Sequence, residues 1–270
     1  MLGGMTVSKM LDAKVLAIYP VAPETYYMEF DAPDIARLAV PGQFVHVRCS
    51  ESQQPLLRRP ISIHMVSRPK GVLALLFRVV GKGTELLSQY KIGDQLNLLG
   101  PLGRGFTMPL PGSRVAIAAG GIGAAPLVFL VQELANMKCQ VTVYLGARDK
   151  KSLLCDGQFV QMDAEVVIAT DDGSLGFKGT VPELMRGHLD WRKTAMTYAC
   201  GPRGMMQEVS LLLAEADVPG EVSLEEYMGC GVGACLSCAV KISHHGQITN
   251  KRVCADGPVF PSWQVVWNEA

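Results

Sequence analysis

The sequence predicts a β + α/β protein in three parts: an N-terminal antiparallel six-stranded β-barrel, a central parallel-sheet α/β domain and a small C-terminal lobe. Six short apolar runs fill the first part, strands and helices alternate around a glycine-rich turn in the second, and four closely spaced cysteines lie in the third. A chain of 270 residues is long enough for more than one domain. We place the three parts at residues 1–110, 111–222 and 223–270.

The composition excludes some classes of function. Lys and Arg together number 25, as do Asp and Glu, so the net charge is zero and no bulk field attracts nucleic acid or an anionic membrane. Residues 1–9 lack the segments of a secretory signal, which predicts a cytoplasmic protein. The most apolar stretch, residues 115–131, is interrupted by glycines and a proline and is short for a bilayer span. We expect neither a nucleic-acid partner nor a membrane anchor.

The first part contains six runs of apolar or alternating residues separated by Pro and Gly. They are residues 15–18, 25–30, 43–48, 61–66, 72–79 and 95–99. Pro41-Gly42 supplies a turn before the third run, and Lys70-Gly71 separates the fourth from the fifth as a hairpin. Six short strands joined in this way are typical of a closed antiparallel barrel.

Two segments of this barrel combine cations with strand ends. One reads Leu-Arg-Arg-Pro-Ile-Ser-Ile from Leu57, and the other ends in Gly-Lys-Gly-Thr at Thr84. Gly83 and Thr84 open a predicted helix over residues 85–89, whose first N–H groups can hold phosphate oxygens. Taken alone, Arg59 is also compatible with a surface cation, and Thr84 with a plain helix N-cap.

The central part begins with a buried-strand pattern at residues 114–119, followed by a Gly-Gly-Ile-Gly turn and a predicted helix over residues 127–137. A strand, a glycine turn and a helix in this order can bind phosphate, which makes Gly120, Gly121 and Gly123 candidate ligand contacts. The turn by itself is weak evidence, because the strict dinucleotide fingerprint would place a third glycine near Pro126.

The alternation of strands and helices continues along the central part. Strands are predicted at residues 141–145, 165–170 and 197–200, and helices near residues 182–185 and 202–217. This pattern indicates a parallel sheet, whose ligands bind at the carboxyl ends of the strands. Cys200, Gly201 and Pro202 follow the last strand at that edge. After the second strand, Arg148 favours NADP and Asp149 favours NAD, so the residues leave the choice of nicotinamide open.

Four of the eight cysteines lie in the third part, at Cys230, Cys235, Cys238 and Cys254. Their spacing, C-x4-C-x2-C-x15-C, is the plant-type [2Fe-2S] pattern, in which each of two irons needs two thiolates. Glycines between them allow backbone N–H groups to approach the sulfurs. A structural zinc site usually has pairs of C-x2-C, and inert buried thiols would not need the glycines. We therefore predict that these four cysteines bind metal.

The other cysteines and two of the histidines give weaker signals. Cys49, Cys139 and Cys155 have no recognisable partner pattern, so we expect core or surface thiols. His46 and His64 fall in strands and are predicted to be packing residues with satisfied rings.

The Arg-Pro-Ile-Ser and Gly-Lys-Gly-Thr segments, the glycine turn and the Cys-Gly-Pro turn resemble those of the ferredoxin-NADP reductase superfamily. The resemblance implies an FAD-binding barrel in which Arg59 neutralises the pyrophosphate and Ser62 reaches the flavin near N5. The FAD contacts that it implies are Arg59, Pro60, Ile61, Ser62, Leu76, Phe77, Arg78, Gly83 and Thr84. The NAD contacts that it implies are Gly120, Gly121, Gly123, Gly201 and Pro202. Cys200 would shape the hydride path beside the nicotinamide, and a buried structural thiol is the alternative.

The order of barrel, nucleotide domain and cluster lobe is similar, over nearly the whole chain, to that of the electron-transfer subunits of type B dihydroorotate dehydrogenases. This resemblance implies a separate FMN-containing catalytic subunit in a heterotetramer of two plus two. It also implies electron transfer from dihydroorotate through FMN, the cluster and FAD to NAD, in de novo pyrimidine synthesis. An NAD-linked flavin and iron–sulfur oxidoreductase subunit is therefore expected.

Two other functions remain compatible with the sequence. Subunits of electron-bifurcating ferredoxin-NADP transhydrogenases and of sulfhydrogenases are built from the same three modules, although they can depart from four cluster cysteines. A ferredoxin-like carrier would need the cluster but neither the Arg59 and Ser62 pair nor the glycine turn. The identity of the partner subunit would distinguish between the two enzyme interpretations. Reduction of bound FAD by NADH would distinguish an enzyme from a carrier.

Overall fold

The computed structural model describes residues 8–50 and 54–267 of the chain. Its first six strands are β1 (Lys9–Ala22), β2 (Thr25–Asp31), β3 (Phe44–Val47), β4 (Arg59–Ser67), β5 (Val72–Arg78) and β6 (Gln95–Leu102). They close into an antiparallel barrel in the order β1-β2-β5-β4-β3-β6, which confirms the predicted barrel. Alternating side chains such as Ile61 and Ile63 of β4 point into its core, together with Phe30 and Leu73.

Two short helices, α1 (Pro33–Leu38) and α2 (Lys82–Ser88), interrupt the barrel strands. Helix α1 was not predicted from the sequence, and α2 begins three residues before the predicted helix at residues 85–89. Gly81 is the N-cap of α2, and the Thr84 hydroxyl accepts hydrogen bonds from the N–H groups of Val80 (2.9 Å) and Gly81 (3.3 Å). Because this local capping starts the helix early, Gly83 and Thr84 lie inside its first turn.

The central domain contains β7 (Arg114–Gly120), β8 (Gln140–Ala147), β9 (Glu165–Thr170), β10 (Phe177–Lys178), β11 (Met196–Cys200) and β12 (Gly220–Ser223). These six strands pair with one another in parallel. The helices between them are α3 (Ala124–Asn136), α4 (Asp156–Gln161), α5 (Val181–His188) and α6 (Arg203–Ala216). Strand β7 is buried on both faces except at its first residue, as expected for a central parallel strand, and the predicted parallel sheet is confirmed.

Helix α3 joins the central domain to the barrel. Phe129 of this helix packs in the barrel core, and the carbonyl oxygen of Ala125 lies 2.8 Å from Nδ1 of His64 on β4. The Gln132 side chain of α3 donates a second hydrogen bond across this boundary, to the carbonyl of Val66 at 3.1 Å. These contacts hold the glycine turn before α3 in a defined position over the barrel.

The C-terminal lobe packs against both other parts. It contains an antiparallel hairpin, β13 (Ala239–His244) and β14 (Gln247–Arg252), and the short strand β15 (Val259–Pro261). Strand β15 pairs antiparallel with β12 and so becomes the seventh strand of the central sheet, in the order β10-β9-β8-β7-β11-β12-β15. On the barrel side, the N–H of Arg104 donates to the carbonyl of Gly257 at 2.5 Å. No helix in the described ranges combines the length and apolar character needed to cross a bilayer.

Candidate functional site

A cavity of about 260 Å³, here called the barrel cavity, lies where the three parts of the chain meet. Its lining includes most of the predicted FAD contacts: Arg59, Pro60, Ile61, Ser62, Leu76, Phe77, Arg78 and Thr84. The central domain adds Ile122 and Pro126, and the C-terminal lobe adds Met228 and Pro258. One cavity wall therefore contains residues from the barrel, the nucleotide domain and the cluster lobe.

Gly83, the remaining predicted FAD contact, lies directly behind Arg59. A Cβ atom on residue 83 would stand 2.6 Å from Nε and 3.0 Å from Cζ of Arg59, so only glycine lets the guanidinium lie over the first turn of α2. The Arg59 side chain donates to the carbonyl of Leu57 at 2.7 Å and keeps further N–H groups for other acceptors. A guanidinium next to the first N–H groups of a helix fits a diphosphate group.

Arg58 has a different role from its neighbour. Its guanidinium donates to the carbonyl groups of His46 (3.2 Å) and Asn97 (3.1 Å) and to the side-chain oxygen of Asn97. These contacts join β3 to β6 next to the start of β4. Of the two adjacent arginines, only Arg59 lines the barrel cavity.

Two further cavities, of about 360 and 400 Å³, lie at the carboxyl edge of the central sheet. Gly120, Gly121 and Pro202 line both of them, and Gly123 and Gly201 line the smaller one. All five predicted NAD contacts are therefore brought together at this edge, where parallel α/β sheets bind their ligands. Arg78 of β5 lines both nucleotide cavities and also the barrel cavity, so these sites adjoin each other.

Close backbone approach explains the glycines of this turn. A Cβ atom on Gly120 would stand 2.7 Å from Sδ of Met205 and 2.8 Å from Cδ of Pro202. Gly121 has a φ of +53°, in the left-handed region that favours glycine. The glycine turn and the Cys-Gly-Pro turn therefore pack against each other and form one floor for the nucleotide cavities.

Cys200 lies beneath this floor. Its side chain is 2% exposed and packs in the core of the central domain with Ile117 and Tyr198. Burial raises the pKa of the Cys200 thiol, and the nearby Glu225 carboxylate raises it further. A protonated, buried thiol is a poor nucleophile, and its burial is also what the structural alternative predicts, so the role beside the nicotinamide stays a prediction.

Arg148 and Asp149, which left the choice between NAD and NADP open, have different surroundings in the structure. Arg148 lines the larger nucleotide cavity. Asp149 is used locally, because its Oδ1 accepts from the N–H of Ser152 at 2.9 Å and from the Ser152 hydroxyl at 3.0 Å. Two acidic residues line that cavity, Asp171 just beyond the end of β9 and Glu208 on α6, and no local sequence signal pointed to either of them.

The four C-terminal cysteines lie on one loop and on the segment after β14. The Sγ of Cys230 accepts hydrogen bonds from three backbone N–H groups, those of Val232 (3.4 Å), Ala234 (3.2 Å) and Cys235 (3.4 Å). Despite burial, which acts the other way, these bonds lower the pKa of Cys230. The N–H of Gly233 donates in the same way to Sγ of Cys254 at 3.2 Å. Backbone N–H groups aimed at sulfur are what the interleaved glycines predicted.

The cysteines form two pairs. The N–H of Cys230 donates to Sγ of Cys235 at 3.4 Å, and the N–H of Cys254 donates to Sγ of Cys238 at 3.5 Å. Within residues 8–50 and 54–267, no three His, Cys, Asp or Glu side chains converge closely enough to hold a single metal ion. Two pairs of thiolates are what a [2Fe-2S] centre needs, with two thiolates for each iron.

Arg252, at the end of β14, holds the loop from Cys230 to Cys238, here called the cluster loop. Arg252 Nε lies 2.8 Å from Oδ2 of Asp256, and Arg252 also donates to the carbonyl of Gly233 at 2.9 Å. The loop that carries three of the cysteines is therefore fixed to the segment that carries the fourth. Positive φ values at Gly231 (+70°) and Gly233 (+83°) let the loop curl around the predicted cluster position.

The two strand histidines differ from each other. His64 is a satisfied packing residue, as predicted, because Nδ1 lies 2.8 Å from the carbonyl of Ala125 and Nε2 lies 3.1 Å from the amide of Gln158. The prediction was wrong for His46, which is 1% exposed and finds no partner for either ring nitrogen among the described residues. Burial, followed by the charges of Arg58 and Arg59, lowers the pKa of His46 to about 4.

Comparison with known proteins agrees with this arrangement. Family models match an oxidoreductase FAD-binding domain at residues 12–106, an oxidoreductase NAD-binding domain at residues 117–210, and the iron–sulfur cluster binding domain of dihydroorotate dehydrogenase B at residues 225–266. The electron transfer subunit of dihydroorotate dehydrogenase B (NAD(+)) from Desulforamulus reducens is 85% identical over 261 residues, 97% of this chain and 100% of that protein. This chain belongs to that family. It is an oxidoreductase subunit with FAD-binding, NAD-binding and iron–sulfur domains, and its family name implies a catalytic partner subunit.

More distant relatives share the family and the fold. The corresponding subunit from Geobacillus thermodenitrificans is 38% identical over 248 residues, 91% of this chain and 94% of that protein. A solved structure described as NADH-dependent reduced ferredoxin-NADP oxidoreductase, studied for flavin-based electron bifurcation, has a TM-score of 0.84 and 31% identity over 98% of this chain and 92% of its own. A ferredoxin NADP+ reductase from Neisseria gonorrhoeae has a TM-score of 0.64 with 18% identity, over 77% of this chain and 92% of its own, and so shows the fold alone.

Proposed function

We propose that this chain carries electrons from a dihydroorotate-oxidising FMN subunit to NAD, through its iron–sulfur cluster and its FAD, in de novo pyrimidine synthesis. The observation that supports the proposal is the shared wall of the barrel cavity. Arg59 and Ser62 of the barrel, Ile122 of the nucleotide domain and Met228, two residues before Cys230, all line it. FAD bound there would adjoin both the nicotinamide site and the cluster, and flavin chemistry can couple hydride transfer to single-electron transfer.

In this proposal, each of the three parts of the chain binds one group. Arg59 and the first turn of α2 bind the FAD pyrophosphate, and the strand residues from Pro60 to Ser62 and from Leu76 to Arg78 line the flavin. The glycine turn and the Gly201-Pro202 turn bind NAD, with Cys200 supporting the floor below. Cys230 and Cys235 hold one iron of the [2Fe-2S] cluster, and Cys238 and Cys254 hold the other, because the sulfurs are paired in that way. The parts that carry these roles are residues 1–110, 111–222 and 223–270.

The partner is proposed to be an FMN-containing catalytic subunit in a heterotetramer of two plus two. The cluster loop offers a surface for it, since Cys235 is exposed and three apolar side chains stand free around it. These side chains are Tyr227 (93% exposed), Val232 (55%) and Leu236 (63%). An electron that enters at this surface would reach the cluster before the flavin. We propose a cytoplasmic location, because the four cysteines outside the cluster lobe are free thiols and a reducing compartment keeps them so.

Co-expression with the catalytic subunit encoded in the same organism tests the proposal. The purified complex should reduce NAD with dihydroorotate, contain FAD, FMN, iron and sulfide, and behave as two plus two in size measurements. The isolated chain should still let NADH reduce its bound FAD. A chain that binds neither FAD nor iron, or a complex that fails to oxidise dihydroorotate, would refute the assignment.

The second candidate is a subunit of an NADH-linked ferredoxin-NADP transhydrogenase. The similarity to the bifurcating oxidoreductase structure, with a TM-score of 0.84 over 98% of this chain, is the observation that favours it. The partner discriminates between the two functions. A copurifying subunit with several four-iron clusters and no dihydroorotate activity would support the second candidate.

A further inference from the structure

His46 stands out because it is a buried polar side chain that faces the cluster loop. It lies on β3 with its ring 1% exposed, and neither ring nitrogen is bonded to any described residue. A neutral imidazole has one N–H donor and one acceptor nitrogen. Burying such groups without a partner is costly, because they lose their hydrogen bonds to water, so a fold that retains the ring should supply one.

The ring lies against the residue that follows the first cluster cysteine. A Cβ atom on Gly231 would stand 2.5 Å from Nδ1, 2.8 Å from Cε1 and 3.1 Å from Cγ of His46. Gly231 is buried, has a φ of +70° and directly follows Cys230. The loop therefore depends on glycine at this position for two reasons, its backbone conformation and the space that the imidazole occupies.

Other groups near the ring do not compete for its nitrogens. Arg58 donates to the backbone carbonyl of His46 and not to the ring, and Phe44 meets the ring edge-on at 6.5 Å between centroids. Neither neighbour occupies a ring nitrogen, and Nδ1 is the nitrogen that faces Gly231 of the cluster loop. The acceptors expected there are sulfur atoms, because Cys230 and Cys235 hold one side of the proposed cluster.

We infer that His46 donates its imidazole N–H to a sulfur of the iron–sulfur centre on the Cys230 side, and so positions the cluster against the barrel and raises its reduction potential. A hydrogen bond to sulfur stabilises the more negative, reduced cluster more than the oxidised one. His46 is thus a positioning residue between the flavin-binding barrel and the cluster. The inference rests on the cluster assignment in the proposed function.

The test uses the complex with its catalytic partner and the variant His46→Phe, which keeps a flat ring without a donor. The cluster midpoint potential, followed by electron paramagnetic resonance, should become more negative. We expect the equilibrium constant for cluster reduction to fall by up to about tenfold, which corresponds to 59 mV for one electron. His46→Gln, which keeps an N–H donor, should recover part of that shift. His64→Phe is the matched control, since it removes a buried barrel histidine that already has its partners, and it should leave the cluster potential unchanged.

A second measurement uses the wild-type protein and so does not depend on whether a variant folds. In wild-type complex labelled with ¹⁵N only in histidine, pulsed paramagnetic resonance of the reduced cluster should detect one weakly coupled nitrogen. Absence of that coupling, or an unchanged potential in His46→Phe with full iron and sulfide content, would overturn the inference. A wild-type complex that contains no iron or sulfide would instead refute the cluster assignment. Failure of the His46 inference can therefore be distinguished from failure of the proposed function.

Discussion

Gly123 packs against the backbone of Cys200 so closely that no side chain fits between them. A Cβ atom on residue 123 would stand 2.5 Å from the carbonyl carbon of Cys200 and 2.6 Å from Cα of Gly201. This contact joins the turn after β7 to the turn after β11. The two turns that were singled out separately in the sequence are therefore one structural unit at the nucleotide site.

Gly123→Ala should disrupt that unit. Neither backbone can move freely, so we expect a loss of about 1–3 kcal/mol in stability and weaker NADH binding. Thermal unfolding and the NADH concentration dependence of FAD reduction measure the two effects. Gly157→Ala is the control, because a Cβ atom on that residue meets nothing within 4 Å. Equal effects in both variants would contradict a special role for the Gly123 contact.

Arg59→Ala should weaken FAD retention. The variant loses a charge-assisted hydrogen bond to phosphate, worth roughly 1.5–3 kcal/mol, or about 10-fold to 150-fold in FAD affinity. Gly83→Ala should have the same direction of effect, because its methyl group displaces the Arg59 side chain. Flavin content after gel filtration and FAD titration of the apoprotein provide the measurements. Gly187→Ala, in open space on α5, should retain FAD, and unaltered flavin content in Arg59→Ala would argue against the pyrophosphate role.

Cys235→Ser should deplete the cluster without removing the flavin. We expect loss of iron and acid-labile sulfide, loss of dihydroorotate-dependent NAD reduction, and retention of NADH-to-dye activity through FAD. Cys139→Ser, a change outside the cluster lobe, should keep all three. If dye activity disappeared while FAD stayed bound, the order in which the cluster lies beyond the flavin would be wrong.

Glu221 should make stability depend on pH. Its carboxylate is 8% exposed and accepts from the N–H and hydroxyl of Thr107 at 2.8 and 2.7 Å, and burial raises its pKa in spite of these bonds. A raised folded-state pKa contributes stability that is fully present below the unfolded value of about 4.3 and is lost as pH rises through the folded value.

Glu221→Gln removes this titration. The amide, like the protonated carboxyl group, has one carbonyl oxygen and one group that can donate, so at acidic pH the variant should be close to wild type in stability. As the pH rises through the folded-state pKa, the variant should become more stable than wild type, because only the wild type loses stability there. Unfolding midpoints of both proteins between about pH 5 and pH 8 test the sign. A variant that becomes less stable relative to wild type as the pH rises would show that the folded state prefers the ionised carboxylate.

Local sequence signals were sufficient for the six barrel strands and for much of the candidate site, but not for the short helices α1 and α4. Periodicity located the six barrel strands, and the glycine turns located the nucleotide edge, although the start of α2 was missed because a Thr84 hydrogen bond, rather than apolar spacing, determines it. The wall residues Ile122, Met228 and Pro258 gave no sequence signal. They come from segments far apart in the chain, and only packing brings them to one cavity.

By itself, the sequence predicted the chemistry of this protein: cysteine spacing for two irons, glycine turns for nucleotide phosphates and, through a family resemblance, an Arg-Pro-Ile-Ser strand for a flavin. These signals are local, because each arises from residues that must be neighbours in the chain to hold one group. The tertiary structure alone decided how the groups connect. It inserted β15 into the nucleotide sheet, placed Arg78 at three cavities and turned His46 toward the cluster loop. Those relations depend on burial of apolar surface between distant segments, which no short pattern encodes.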